Sequence, residues 1–274
     1  MQLVYLTDKG NIRNTNQDSY CIQIAQRSRG ILALLCLCDG MGGLEQGEVA
    51  SGAAVIAVRK WFQAHVESFT ASLPAKEELF AIMGDCIEEI HGNLRTYSEH
   101  TGTRLGTTLS MMLLCEGHYY SAQVGDSRIY LSTSESIVQI TRDQTLGQRL
   151  FEEGRLTPEE LQRDSRRSVL EQCVGQRTAV PVFRDGTLEQ EGTVILCSDG
   201  FYHYVTAEQL QKLLDGAKDR TTLKNALENQ IRENRSAGET DNITVIAYRW
   251  EKDDEMQESS ELTMLADAVG IHTE

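Results

Sequence analysis

Proline is scarce in this 274-residue chain, three in all, and no long glycine- or serine-rich stretch interrupts it. Nothing therefore marks an interior linker, and a single domain is expected over residues 1–250. Long apolar runs are missing as well: the longest are of strand length, far short of the roughly 20 residues a membrane span needs. The start, Met1-Gln2-Leu3-Val4-Tyr5, lacks the basic residues and apolar block of a secretory signal. A soluble, cytoplasmic monomer with no membrane partner is the expectation. No two of the seven cysteines form a Cys-x-x-Cys pair, and Cys21, Cys36, Cys38, Cys115 and Cys197 lie in apolar runs. There a reduced thiol acts as a small hydrophobe, which argues against a disulfide framework, a zinc site or a reactive thiolate. Basic residues are outnumbered 26 to 41 and form no stripe, so a net charge of −15 argues against nucleic acid as a partner. Seven of those net charges lie in residues 251–274, eight acids against one lysine. That tail is expected to be disordered, with a short amphipathic helix around Leu262, Met264, Leu265, Ala268 and Val269 as the alternative.

Against this background four acids stand in distinctive settings. Asp18 closes Arg-Asn-Thr-Asn-Gln-Asp, Asp39 opens Asp-Gly-Met-Gly-Gly, Asp199 sits in Ser-Asp-Gly, and Asp241 in Thr-Asp-Asn-Ile-Thr-Val. An isolated Asp-Gly is an ordinary turn dipeptide. Here it comes twice in the same form: Leu35-Cys36-Leu37-Cys38 runs into Asp39-Gly40, and Val194-Ile195-Leu196-Cys197-Ser198 into Asp199-Gly200. Two buried strands thus end in a carboxylate and a glycine, and carboxylates at strand ends can converge. Converging oxygen ligands suit hard divalent ions, Mg²⁺ or Mn²⁺, better than zinc or copper. A two-metal hydrolase is the leading expectation.

Short strands are expected at residues 3–6, 20–24 and 31–38, the last two joined at an Arg27-Ser28-Arg29-Gly30 hairpin. Ala50, Ala54, Ala57, Val58 and Trp61 recur at helical spacing, as do Leu79, Met83, Ile87, Ile90 and Leu94. Further strands are expected at 108–114, 119–124, 128–131, 137–140, 180–183, 194–197 and 243–250. Capped helix starts are written at Thr157-Pro158-Glu159-Glu160 and Thr206-Ala207-Glu208-Gln209, and another helix covers 222–231. Strand runs interrupted by helix pairs indicate an α+β chain, sheet packed on sheet with helices outside.

Taken in order, these motifs resemble the type 2C metal-dependent protein phosphatases. The likeness runs through Asp8-Lys9-Gly10 with Arg13, Asn16-Gln17-Asp18-Ser19, Asp39-Gly40-Met41-Gly42-Gly43 with Gly47-Glu48, Gly106-Thr107-Thr108, Gly125-Asp126-Ser127-Arg128, Ser198-Asp199-Gly200 and Asp241-Asn242. The resemblance implies a four-layer α-β-β-α sandwich with two central antiparallel sheets. It also implies hydrolysis of phosphoserine and phosphothreonine in proteins at a centre of two Mn²⁺ or Mg²⁺ ions, without a phosphoenzyme. The ions are expected on Asp39, the Gly40 carbonyl, Asp199 and Asp241. Asp18 would orient water, and Arg13 would grip the phosphate with its planar fork of donors. Phosphoproteins are the expected partners, among them serine/threonine kinases and their targets. Two other readings are a fold that binds partners without catalysis and another two-metal hydrolase such as a nuclease. The ligand set stands against the first, the acidic surface against the second.

The chain departs from the family in several places. Leu44 and Met41 stand where different members carry a histidine, so no histidine general acid is apparent in this loop, and Gln17 stands where an acid is common. Residues 143–175 match the family's flap only loosely. The resemblance further implies a weaker third ion on Asp126 and Asp199, usually helped by an acid four residues beyond Asp199. Here that residue is His203, so any third ion is expected to bind weakly and to prefer Mn²⁺ to Mg²⁺. The alternative for His203 is a side chain in solvent or packed near Tyr202 and Tyr204.

Overall fold

A computed structural model describes residues 1–27, 30–41, 46–188, 191–250 and 263–272. Residues Ser28 and Arg29 of the expected hairpin, Gly42 and Gly43 of the glycine-rich motif, Leu44, and residues 251–262 and 273–274 of the tail lie outside the described residues. The chain runs β1 (Gln2–Asp8), β2 (Asp18–Arg27), β3 (Gly30–Asp39), α1 (Gly47–Ala71), α2 (Lys76–Thr101), β4 (Leu109–Cys115), β5 (His118–Val124), β6 (Arg128–Ser132) and β7 (Ile137–Gln139). It continues through α3 (Leu146–Glu152), α4 (Pro158–Arg163), β8 (Val182–Thr187), β9 (Gly192–Cys197), α5 (Asp199–Tyr202), α6 (Ala207–Gly216), α7 (Arg220–Ala237), β10 (Ile243–Trp250) and β11 (Thr263–Gly270). Each expected strand and long helix is present, and both threonine capping boxes close as read, on Glu160 and on Gln209.

Two antiparallel sheets carry the fold, one in the order β1-β10-β9-β6-β7 and the other β11-β2-β3-β4-β5-β8. The two-residue period of β3 shows how they stack. Leu32, Leu34, Cys36 and Cys38 face Val58, Phe62 and Ile87 of the first helix pair, whereas Ala33, Leu35 and Leu37 face Ile129, Leu196 and Ile246 of the other sheet. On the far side, Ile195, Cys197, Val245 and Ala247 pack under Leu210, Leu214, Leu223, Leu227 and Ile231 of α6 and α7. Three apolar seams make four layers, the α-β-β-α sandwich. All seven cysteines are free and buried, as expected of thiols that serve as small hydrophobes.

The tail departs from expectation. Residues 263–270, read as disordered with a short helix as the alternative, form β11, which pairs antiparallel with β2 from Thr263↔Gln26 to Gly270↔Tyr20. Its side chains are locked in place: Asp267 accepts hydrogen bonds from Gln23 Nε2 (2.6 Å) and from the Arg59 guanidinium on α1. Val269 and Ile271 pack on the helix-side core, Ala266 and Ala268 on the seam between the sheets. The register shifts between Met264 and Ala266. This bulge breaks the two-residue alternation from which a strand is read, because an extra residue turns every later side chain to the opposite face. The domain therefore extends past Trp250.

Candidate metal centre

The repeated strand endings meet at one edge of the sandwich. Asp18, first residue of β2, lies directly opposite Asp39, last residue of β3, so the antiparallel register alone places two carboxylates side by side. In the second sheet β9 ends at Cys197 and turns through Ser198 into α5, which opens with Asp199, while Asp241 precedes its neighbour β10. Asp126 caps the β5–β6 turn. Both Asp-Gly glycines are required by close approach: a Cβ at Gly40 would overlap the Gly47 carbonyl, and one at Gly200 the Asn242 carbonyl. Arg13, Asp39, Asp126, Asp199 and Asp241 line one cleft of about 270 Å³, together with Met41, Thr108, Ser168 and Leu170. Asp18 lies beneath it, 1% exposed.

The backbone of Asp39 is fixed on both sides. Its N–H donates to Thr108 Oγ1 (2.9 Å), which is 2.7 Å from Ser127 Oγ, and its carbonyl accepts from Thr107 Oγ1 (2.9 Å) and from the Thr108 N–H (2.8 Å). Gly106-Thr107-Thr108 thus serves as a clamp on the strand end. Asp18 Oδ2 accepts from Ser198 Oγ (2.9 Å), whose oxygen in turn accepts the Thr244 N–H (2.9 Å).

Electrostatically the cluster is unfavourable on its own. Burial first, then the neighbouring carboxylates, hold Asp39 and Asp126 well above the usual carboxylate range. Asp18 is pushed up to about 7 by burial, against hydrogen bonds from Thr244 and Ser198 that pull it down. Asp199 is pushed up to about 6, again chiefly by burial. One oxygen each of Asp18 and Asp199, both Oδ1, is buried without a hydrogen-bond partner. Buried carboxylate oxygens left bare, among carboxylates that repel one another, fit a cation as the missing partner. Among the described residues no three His, Cys, Asp or Glu side chains form a ready coordination sphere. Mg²⁺-like ions do not demand one, since they keep several waters and bind through one or two carboxylates each. At about 30 Å³ per water, the cleft has room for such waters.

Arg13 reaches the cleft but is engaged there: its Nε and Nη2 fork onto Asp241 Oδ1 and Oδ2 at 3.0 and 2.6 Å. Its pKa is raised by that hydrogen-bonded pairing first, with Asp39 and Asp199 adding to it. The loop carrying Arg13 is held by Asn242, a residue for which the sequence suggested no role. Asn242 Oδ1 accepts the Gln17 N–H (2.8 Å), and its Nδ2 donates to the carbonyls of Lys9 (2.9 Å) and Thr15 (3.1 Å). Gln17, in place of an acid, donates to Glu48 (2.9 Å).

His203 is 13% exposed at its side chain and lies edge-on to Tyr202, but it does not point to solvent. Its Nδ1 is 3.0 Å from Glu239 Oε2, and its Nε2 is 3.6 Å from Asp199 Oδ2. Burial acts to raise the Glu239 pKa. The hydrogen bond from His203 and the N–H groups of Asp241 and Thr240 outweigh it and hold Glu239 low. An ionised carboxylate only accepts, so Nδ1 donates its proton to Glu239, and this contact holds the ring with Nε2 facing Asp199. Glu239 was missed in the sequence; standing two residues before Asp241, it had only proximity to recommend it. Also missed was the support beneath Asp126. Arg128 pairs with Asp143 (2.7 Å) and lies 3.6 Å over the Tyr202 ring, and Tyr202 OH donates to the Asp126 carbonyl (3.2 Å).

Residues 12–238 match the family described as Protein phosphatase 2C. The chain belongs to that family. The serine/threonine phosphatase stp of Listeria monocytogenes serotype 4b is 30% identical over 249 residues, covering 90% of this chain and 94% of the relative. A bacterial serine phosphatase crystal structure superposes with a TM-score of 0.81 at 28% identity, over 92% of this chain and 99% of that one. The catalytic domain of the phosphatase PstP, solved in complex with two manganese ions, aligns with a TM-score of 0.71 at 27% identity, over 91% of this chain and 98% of that one. As a type 2C phosphatase the chain is an enzyme, and its acidic cleft is the candidate active site. No helix among the described residues is long and apolar enough to cross a membrane.

Proposed function

We propose that the cleft hydrolyses phosphoserine and phosphothreonine in proteins by direct attack of water. The observation that supports this reading best is the gathering of Asp39, Asp126, Asp199 and Asp241 with Arg13 around one cleft. Asp39, the Gly40 carbonyl, Asp199 and Asp241 would hold two Mn²⁺ or Mg²⁺ ions. Bound there, the ions supply Lewis acidity to the phosphoryl oxygens and bring the pKa of a water toward neutrality. Asp18, buried with Oδ1 unpartnered, would orient that water. Arg13 would grip a phosphate oxygen pair with the fork that it now turns to Asp241. Of the hydroxyls that line the cleft, Thr108 Oγ1 is taken up by the Asp39 N–H and Ser127. The substrates on this reading are phosphoproteins, with serine/threonine kinases and their targets among them. Hydrolysis of p-nitrophenyl phosphate should appear with Mn²⁺ and vanish with chelator; turnover unaffected by chelator would reject the metal centre. Arg13→Ala should raise KM about tenfold while changing kcat much less, because the grip already exists in the ground state. An unchanged KM would remove Arg13 from the substrate site.

A third, weaker ion would find Asp126, Asp199 and the Nε2 of His203, with Glu239 orienting the ring as carboxylates do behind ligating histidines. Nitrogen in the set favours Mn²⁺ over Mg²⁺. Calorimetric titration with Mn²⁺ should show a weak third step that His203→Ala abolishes. Only two steps in the wild type, or a third step that survives the substitution, would count against it.

A further inference from the structure

Beside the catalytic cleft lies a second groove of about 330 Å³, lined by Arg95, Ser98 and Glu99 of α2, by Arg104, and by Gln176 and Arg177. Three guanidinium groups face a single carboxylate there, in a chain whose net charge is −15. Arg95 spends part of its charge on Glu99 at 3.6 Å. Arg104 and Arg177 are exposed, and among the described residues neither has a hydrogen bond or ion pair. Surface arginines are usually paired or scattered in an acidic protein, and two unpaired ones in a shared concavity make a local anion site.

The groove and the cleft share a wall. Met41 lines the cleft, and its N–H donates to the Gly106 carbonyl (3.0 Å). At Gly106 the Met41 sulfur and the Gln176 side chain converge on one point, each 3.0 Å from where a Cβ would stand. The Gln176 amide donates to the carbonyl of Leu105, next to Arg104. Arg104 and Arg177 are therefore carried by the two segments that close the cleft at Met41. The backbone under them is firm: Thr107 and Val174 exchange hydrogen bonds of 3.1 and 2.9 Å, and Gly175 N–H donates to His91 Nδ1 (3.1 Å).

We propose that this groove binds an acidic group flanking the scissile phosphoresidue, so that Arg104 and Arg177 select phosphoproteins with a nearby carboxylate or a second phosphate. The proposal rests on the phosphatase reading above. Met41 of the cleft and Gln176 of the groove meet at Gly106, so the two concavities are separated by about two side chains, on the order of 10 Å, which about three residues of extended chain span. An acid about three residues from the phosphoserine would thus reach the groove while the phosphate occupies the cleft. Both arginines lie away from the carboxylate cluster, so they act on substrate binding and not on turnover.

The test uses the full chain with Mn²⁺ and three phosphoserine peptides: one with alanine flanks, one with aspartate three residues away on either side, and one with a second phosphoserine at those positions. Wild type should show a KM about five- to tenfold lower for the charged peptides, an advantage that fades at high salt. Arg104→Glu with Arg177→Glu should abolish or reverse the preference, leaving kcat and p-nitrophenyl phosphate hydrolysis unchanged. Preference for the aspartate peptide identifies a carboxylate site, and preference for the doubly phosphorylated one alone a phosphate site. No preference in the wild type, or one that survives the double substitution, overturns the proposal. Fluorescence anisotropy with the same labelled peptides reads the groove without turnover. Absent hydrolysis of every substrate would therefore refute the phosphatase reading, while the anisotropy comparison still decides the groove.

Discussion

Asp39→Asn should abolish Mn²⁺-dependent hydrolysis, by more than about 10³-fold, and yet give a metal-free protein that melts higher than the wild type at pH 8. Both results have one cause. Asp39 is held among Asp18, Asp126, Asp199 and Asp241, where burial and like charge make ionisation costly. Each of the shifted carboxylates has its pKa raised by folding, so the folded protein binds protons more tightly than the unfolded chain. The stability that these groups contribute is fully present below the ordinary carboxylate pKa and is lost as pH rises through their folded values. For Asp199 and Asp18 those values are about 6 and about 7. The chelated wild type should therefore lose stability between about pH 4 and pH 7, and saturating Mn²⁺ should restore it. Removing the Asp39 charge should recover about 1–3 kcal/mol, or about 3–9 °C in Tm for a domain of this size. Retained activity in Asp39→Asn would reject the two-metal reading, and a fall in its metal-free Tm would reject the account of the cluster as electrostatically strained.

The strand-end carboxylates were legible because their information is local: an apolar run, then Asp-Gly, seen twice. Antiparallel pairing then does the rest, since β2 beginning at Asp18 against β3 ending at Asp39 leaves the two acids no choice but to be neighbours. What was not legible depends on contacts far apart in sequence. Arg13 and Asp241 are 228 positions apart, and their fork exists only because β1 and β10 pair and Asn242 ties down the intervening loop. His203 offers a similar case. Its place after Asp199 suggested a metal-site role, but the partner that holds its ring, Glu239, comes from just beyond the far end of α7. The Arg104–Arg177 groove was invisible for the same reason: neither arginine sits in a basic run, and the two meet through the Thr107–Val174 pairing.

Truncation after Trp250 should lower the melting temperature by about 5–10 °C, the counterpart of about 2–4 kcal/mol in a domain of this size. The shortened chain loses a strand paired with β2 from Tyr20 to Gln26, together with Val269 and Ile271 on the core and the Asp267 link to Arg59 and Gln23. Each apolar group is only partly buried, so the sum falls below that of an equal number of fully buried side chains. The loss should reach the site, because β11 ends opposite Tyr20, two residues from Asp18, and Ile271 abuts Gly52 on α1 beside Ser51. Ser51 Oγ donates to the Gln17 carbonyl (2.6 Å), and that same carbonyl accepts the Gly40 N–H (3.0 Å). A looser β2 edge thus loosens the segment that carries Asp18 and Gly40. Asp267→Ala in the full chain separates the two effects: it removes the link to Arg59 while keeping the strand, and should cost about 1–2 kcal/mol in stability with Mn²⁺ affinity unchanged. A truncated chain that melts with the full one would show that residues 263–272 add nothing to the domain. An equal loss of stability with no change in Mn²⁺ affinity would confine their role to the sheet edge.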